Sequence, residues 1–221
     1  MKVKVLIITA LALAMSAVSF GQNSFTVDAG DGGTGNLVLE PCELGGGMPF
    51  MEVLKERKSN RDFQPAEIES RLLSGVLWAA NGINRPGENK RTAPSSRNSQ
   101  EIDIYVLTNN GVYLYMPEDQ QVKKVRSGDS RKTVIKSDKE MNAPIVLLLV
   151  ANYDKMKGYE TADRDFYAPL DCGYVSQNIY LYCASEHLRT VAMGNIDRVA
   201  AAKILGLKNG KVMLAHPVSM D

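Results

Sequence analysis

The sequence predicts an α+β protein whose helices surround a mixed or antiparallel central sheet, and three observations carry that prediction. Apolar residues recur at helical spacing after Pro65 and again from Ala168 to Leu188, the i, i+3, i+4 signature of buried helical faces. Ile102, Ile104 and Val106 alternate with Asp103 and Tyr105, and Asn109-Asn110-Gly111 leads into Val112-Tyr113-Leu114-Tyr115, which is the pattern of a β-hairpin. A short unbroken apolar run over residues 145 to 150, just after Pro144, reads as a buried strand. Helical and strand segments in this order pack as helices around one sheet.

Taken from the start, Met1-Lys2-Val3-Lys4 precedes an apolar stretch to about Val18 and then Ser19-Phe20-Gly21. This is the form of an export signal, expected over residues 1 to 21 and removed after Gly21. The apolar run falls short of the roughly 20 residues a membrane span requires, so no membrane association is expected once the signal is cleaved. Residues 22 to 47 contain Asp28-Ala29-Gly30-Asp31-Gly32-Gly33 and Gly45-Gly46-Gly47 and read as a flexible arm outside the core. A single domain is expected from 48 to 221.

Met48-Pro49 opens the first helix, with Phe50, Val53 and Leu54 as its buried face and an end near Lys58. Ile68, Leu72, Leu73, Val76 and Leu77 form the stripe of a second helix that stops at Asn81-Gly82. Residues 81 to 99 are then a long polar loop, a length that calls for a functional reason. After the hairpin come a strand over residues 121 to 125, the buried strand, and a central helix over residues 168 to 188. A strand at 190 to 193, a helix at 196 to 205 and a last strand at 211 to 215, after the Asn209-Gly210 turn, complete the set.

Twenty-six basic residues stand against 25 acidic ones, for a net charge of +1. Their interspersion leaves no large positive field for nucleic acid or an anionic membrane. Of the cysteines Cys42, Cys172 and Cys183, the last two lie 11 residues apart in one predicted helix. They are therefore about 16 Å apart, beyond the roughly 7 Å reach of a disulfide. Buried apolar thiols are the expectation. His187 and His216 are too isolated to ligate a metal and read as structural.

Three segments carry polar chemistry. Arg57-Lys58-Ser59-Asn60-Arg61 packs three cations and a hydroxyl into five residues; this suits a phosphate, although the segment alone favours solvated cations that complement a helix C-terminus. Arg91-Thr92-Ala93-Pro94-Ser95-Ser96-Arg97-Asn98-Ser99-Gln100 could grip a polar heterocycle or be a solvated loop. In Asp171-Cys172-Gly173-Tyr174-Val175-Ser176-Gln177-Asn178, Gly173 costs the helix about 1 kcal/mol relative to alanine. It implies close approach of another helix or of a cofactor.

In this order, with Leu77-Trp78-Ala79-Ala80 between the first two, these motifs resemble the nitroreductase family over about residues 48 to 217. Trp78 and the segment from Arg91 to Ser95 are similar to the branch that includes the SagB-type dehydrogenases. The resemblance implies a homodimer with two FMN sites at the subunit interface. It places Arg57, Lys58 and Ser59 at the FMN phosphate and ribityl chain, and Arg61 at the pyrimidine edge, where a cation favours the anionic reduced ring. Pro94, Ser95, Ser96 and Asn98 would line the ring from the partner subunit, and Gly173 and Gln177 would belong to the central dimer helix. The resemblance further implies an oxidoreductase working through flavin N5 by a ping-pong route, with NAD(P)H as a candidate donor and a small organic molecule as substrate. Many members continue into a C-terminal tail that adds a basic residue to the phosphate, whereas here the last residues are Ala215-His216-Pro217-Val218-Ser219-Met220-Asp221. That difference leaves a non-catalytic exported flavin carrier as the alternative. Export implies a periplasmic location.

Overall fold

The computed structural model describes residues 35 to 138 and 142 to 221; the expected signal and the first part of the arm lie outside them. The elements are β1 (Leu37–Val38), α1 (Phe50–Glu56), α2 (Ser70–Asn81), β2 (Ile83–Arg85), β3 (Lys90–Arg91), β4 (Ile102–Leu107), β5 (Gly111–Met116), β6 (Gln121–Ser127), α3 (Arg131–Val134), β7 (Ile145–Asn152), α4 (Thr161–Ser185), β8 (Leu188–Thr190), α5 (Arg198–Leu205) and β9 (Gly210–Met220).

Seven strands form one sheet in the order β1-β6-β5-β4-β7-β9-β8, and every pairing in it is antiparallel. The hairpin of β4 and β5 closes where predicted, with the Thr108 hydroxyl accepting from the Asn110 and Gly111 amides at 3.1 Å each. Inside the sheet, between β4 and β9, lies β7. Its alternate residues Ile145, Leu147, Leu149 and Ala151 pack with α2 and α4, while Val146, Leu148 and Val150 pack with Val134 of α3 and Ala201 of α5. A strand covered on both faces has no polar face to show, which is why its sequence is an unbroken apolar run.

The α2 stripe is buried as its spacing requires, and α2 crosses α4 at Gly75, where an added methyl would overlap the Tyr182 hydroxyl. Glycine there lets the two helices meet.

Several expectations are corrected. Residues 37 and 38 pair with β6, Leu39 is 3% exposed within the core, and the Ser74 hydroxyl donates to the Glu40 carbonyl. This end of the arm is therefore part of the fold, because a lone pair of apolar residues finds an open sheet edge. On α1 Val53 alone is buried; Phe50 is 64% and Leu54 41% exposed. Residues 81 to 99 contain the β2–β3 hairpin. The central helix begins at Thr161 and runs through Pro169; Pro169 and Asp165 are exposed, so the carbonyl that proline leaves unpaired can be met by water. It ends at Ser185, which gives Leu188 to β8, and β9 extends to Met220. Among the described residues Gly173 has no neighbour within 4 Å of an added Cβ, so none of them packs closely against it.

Candidate functional site

The chain leaves α1 with the Arg57 amide bonded to the Val53 carbonyl and then runs extended beside β8. The Asn60 amide donates to the Thr190 carbonyl at 2.9 Å. Arg189 of β8 pairs with Asp62 at 2.9 Å and with Asp221 at 2.6 Å, and Phe63 enters the core. Anchored on both sides in this way, the cationic segment has a fixed path. The Arg57 guanidinium stands 5.2 Å from the Tyr180 ring centroid, a cation–π contact. Ser59 Oγ lies 2.9 Å from Tyr180 Oη, which accepts the Ala192 amide at 2.7 Å. Lys58, Ser59 and Arg61 border a solvent-open cavity of about 620 Å³, and among the described residues neither Lys58 nor Arg61 joins an ion pair.

The second segment is held just as firmly. The Ser95 hydroxyl accepts the Gln100 amide at 2.9 Å, the Ser96 amide donates to Asp171 Oδ2 at 2.8 Å, and Tyr159 Oη donates to the Ser96 carbonyl at 2.7 Å. Arg91, buried, donates from Nε to Gln100 Oε1 at 2.9 Å and pairs with Glu118. Asn98 Oδ1 accepts from the Gln100 amide group at 3.2 Å, and Pro94 is exposed. Arg97, Asn98 and Gln100 have φ of 48°, 56° and 52°, left-handed backbone that side chains other than glycine adopt at a cost of about 1 to 3 kcal/mol each. Three such residues in four positions persist because the surrounding bonds over-determine them.

Gly173 and Gln177 lie exposed on α4, on the same side as Phe166, Leu170 and Tyr174, which are 62%, 45% and 48% exposed. Apart from the edge contact of Phe166 with Tyr167, this stripe faces outward among the described residues. The loop anchors at Asp171 and the cationic segment at Tyr180, nine residues further along α4, or about 13 Å. Among the described residues no hydrogen bond or ion pair joins residues 57 to 61 to residues 94 to 98. One subunit thus brings together Arg57 with Ser59, and separately Ser95 with Ser96 and Asn98, but not the two groups.

Sequence reasoning missed Tyr180, Asp171 and Arg189 as the side chains that set these segments in place. Tyr180 carried a usable signal, since a tyrosine on a half-buried helix needs a partner for its hydroxyl. Behind it His216 is fully buried, with Nε2 2.8 Å from Ser176 Oγ and Nδ1 3.1 Å from Thr190 Oγ1, its ring edge-on to Tyr180. Burial pushes its imidazole down to about 3. Cys172 and Cys183 are buried and Cys42 half-buried, all three as free thiols.

An antiparallel sheet between helical layers, with a cationic segment and a strained polar loop both anchored on one long helix, defines an α+β protein. A sequence profile of the nitroreductase family matches residues 54 to 219. A Methanocaldococcus jannaschii protein named as a nitroreductase is 30% identical over 174 residues, 74% of this chain and 87% of that one. A Ralstonia eutropha crystal structure of the same description superposes with a TM-score of 0.77 at 30% identity, over 84% of this chain and 89% of that one. The chain belongs to the nitroreductase family and is one of its oxidoreductases, a family that commonly uses flavin. The fold is shared more widely: a chain of the E. coli microcin synthetase McbBCD complex matches 98% of this chain and 84% of its own with a TM-score of 0.61 at 14% identity.

Proposed function

We propose that the protein is an exported, periplasmic, FMN-dependent oxidoreductase that works as a homodimer and moves electrons between a donor and a small organic substrate. The observation that carries this reading is the fixed Arg57-to-Arg61 segment, which turns Lys58, Ser59 and Arg61 toward an open cavity while Tyr180 holds Arg57 and Ser59. The donor set fits FMN: guanidinium, ammonium and hydroxyl groups match a phosphate dianion, and Arg61 supplies a cation for the ring edge. When bound, the flavin supplies the two-electron chemistry; the chain's own residues bind, orient and tune it.

The separation of the two segments along α4 supports a site completed by a second copy, with Ser95, Ser96 and Asn98 brought to the partner's Arg57 segment. The exposed stripe of Phe166, Leu170, Tyr174 and Gln177, with the open Gly173 between, supplies a surface for that copy. NAD(P)H is a candidate donor, although an exported enzyme meets little of it. Anaerobic mixing with NADH and NADPH tests that version directly, and failure to reduce with either would exclude it.

The experiment for the cofactor is an absorbance spectrum of the purified protein before and after incubation with FMN and desalting. The expected result is a retained flavin band near one FMN per subunit, lost in Arg57→Ala. A protein that stays colourless in excess FMN would refute the reading.

A further inference from the structure

The loop of residues 95 to 100 rests on two buried carboxyl groups that the cofactor reading does not use. Glu101, at the foot of β4, is fully buried, and Asp171 of α4 is 4% exposed. Each carries part of the loop. Asp171 Oδ2 accepts the Ser96 amide at 2.8 Å, and Glu101 Oε2 accepts the Ser99 hydroxyl at 2.7 Å. Glu101 Oε1 is buried with no donor, while the two carboxyl groups lie within hydrogen-bonding reach of each other. Two bare carboxylates cannot satisfy one another; one proton between them supplies the missing donor and removes a charge from the interior.

We propose that Glu101 and Asp171 share a single proton, and that this acid pair is the positioning device that holds the loop of Ser95, Ser96 and Asn98 in its strained, flavin-lining shape, so that losing the proton frees the loop from α4. The flavin-lining part of this statement rests on the function proposed above; the hold on the loop does not.

Few groups that titrate or carry charge face the pair, and the neutral Ser99 hydroxyl beside Glu101 also lies 2.9 Å from the Ser96 carbonyl oxygen. From α4 the pair meets the Cys172 thiol, which burial and then the charge of Glu101 push up to about 12, too weak an acid to contribute. From the loop it meets the neutral Ser99 hydroxyl, and from the end of β7 the Asn152 amide donates to the Glu101 carbonyl oxygen of the backbone. The cations of the region have partners of their own, with Arg91 Nη1 left buried without an acceptor. Arg91 and Lys155 bond Gln100, and their own carboxylate partners are Glu118 and Asp103. Arg97 lies over the Tyr159 ring at 4.6 Å, and the Tyr159 hydroxyl serves Ser96. Burial, and next to it the charge of Asp171, pushes the Glu101 carboxyl up to about 7. Its folded-state value is thus raised, so the protonated pair is intact at mildly acidic pH and is lost as pH rises through neutrality.

The test compares the purified wild-type protein with Glu101→Gln, which keeps a donor toward Asp171 without a titrating proton, and with Asp171→Asn as a second neutral pair. Two readouts are followed from pH 6 to pH 9: FMN dissociation constants, and trypsin cleavage after Arg97 in the flavin-free protein, scaled to cleavage of an unstructured reporter peptide. In the wild type, loop cleavage should rise and FMN affinity fall about tenfold across neutrality, and both variants should be flat. A flat wild-type profile, or a step that survives in Glu101→Gln, overturns the proposal. A cleavage step in a protein that binds no FMN at any pH would refute the flavin reading and uphold the acid pair's hold on the loop.

Discussion

Replacing His216 with glutamine should remove a specific part of the protein's acid sensitivity, and the size of that part follows from burial. The ring is wholly enclosed between β9, Ser176 and Thr190, and its two nitrogens face hydroxyl groups rather than a carboxylate. Desolvation therefore holds it neutral, with its folded-state value pushed down to about 3, against about 6.5 in an unfolded chain. A depressed value means that the unfolded chain binds the extra proton first, so the stability is fully present above about pH 6.5 and is lost as pH falls toward 3. At pH 5 the unfolded chain carries nearly a whole proton at this position and the folded chain almost none. The loss between pH 7.5 and pH 5 is then about 2 kcal/mol. Urea unfolding of wild type and His216→Gln at both values isolates this quantity as a double difference, in which the carboxyl groups common to both proteins cancel. A double difference below roughly 0.5 kcal/mol, near the error of the extrapolation, would refute the claim that the imidazole is buried neutral.

Three further outcomes are expected. Tyr180→Phe keeps the ring beneath Arg57 but loses the hydroxyl that links Ser59 to the Ala192 amide; FMN titration should show affinity reduced about five- to tenfold, the equivalent of one hydrogen bond, and an unchanged affinity would show that Ser59 needs no positioning. Gly75→Ala gains about 1 kcal/mol of helix propensity but drives a methyl into Tyr182, an overpacking cost of about 1 to 3 kcal/mol; denaturation should show a net loss, and a stabilised variant would mean that Tyr182 swings aside freely. Among the described residues nothing lies within 4 Å of a Cβ added at Gly173, so in Gly173→Arg unfolding of the dilute chain should stay within about 0.5 kcal/mol of wild type while sedimentation shows the proposed homodimer dissociated; a dimer of undiminished strength would remove this face of α4 from the proposed interface.

Those parts of the fold were legible whose pattern is decided by near neighbours. The α2 stripe and the β4–β5 hairpin are each specified by spacing and turn residues within a dozen positions. The edge strand β1 was not, because two apolar residues acquire meaning only when β6, more than eighty residues later, offers an open edge. The first turns of α4 were missed because Thr161 to Tyr167 show little apolar periodicity. Helical spacing also named Phe50 and Leu54 correctly as one face with Val53, but periodicity reports that a face is apolar and not whether the same copy of the chain covers it. In the site, the chemistry of Arg57 and Ser59 suited a phosphate or solvated cations alike, and only the order of the motifs along the chain singled them out. Glu101 was not legible, since a carboxylate before a strand reads as solvated, and its burial depends on Asp171 reaching it from α4, seventy residues away.

The position of β9 sets the order in which the molecule can be made. Its residues 210 to 220 lie between β7 and β8, so a segment synthesised well after β7 fills an interior slot of the sheet. Until it arrives, β7 presents one unpaired edge made of the most apolar strand in the sequence, the kind of surface that recruits other nascent chains. Contacts this distant in sequence form late. A chain interrupted before Gly210 should therefore expose this edge and tend to aggregate rather than form a smaller version of the same fold.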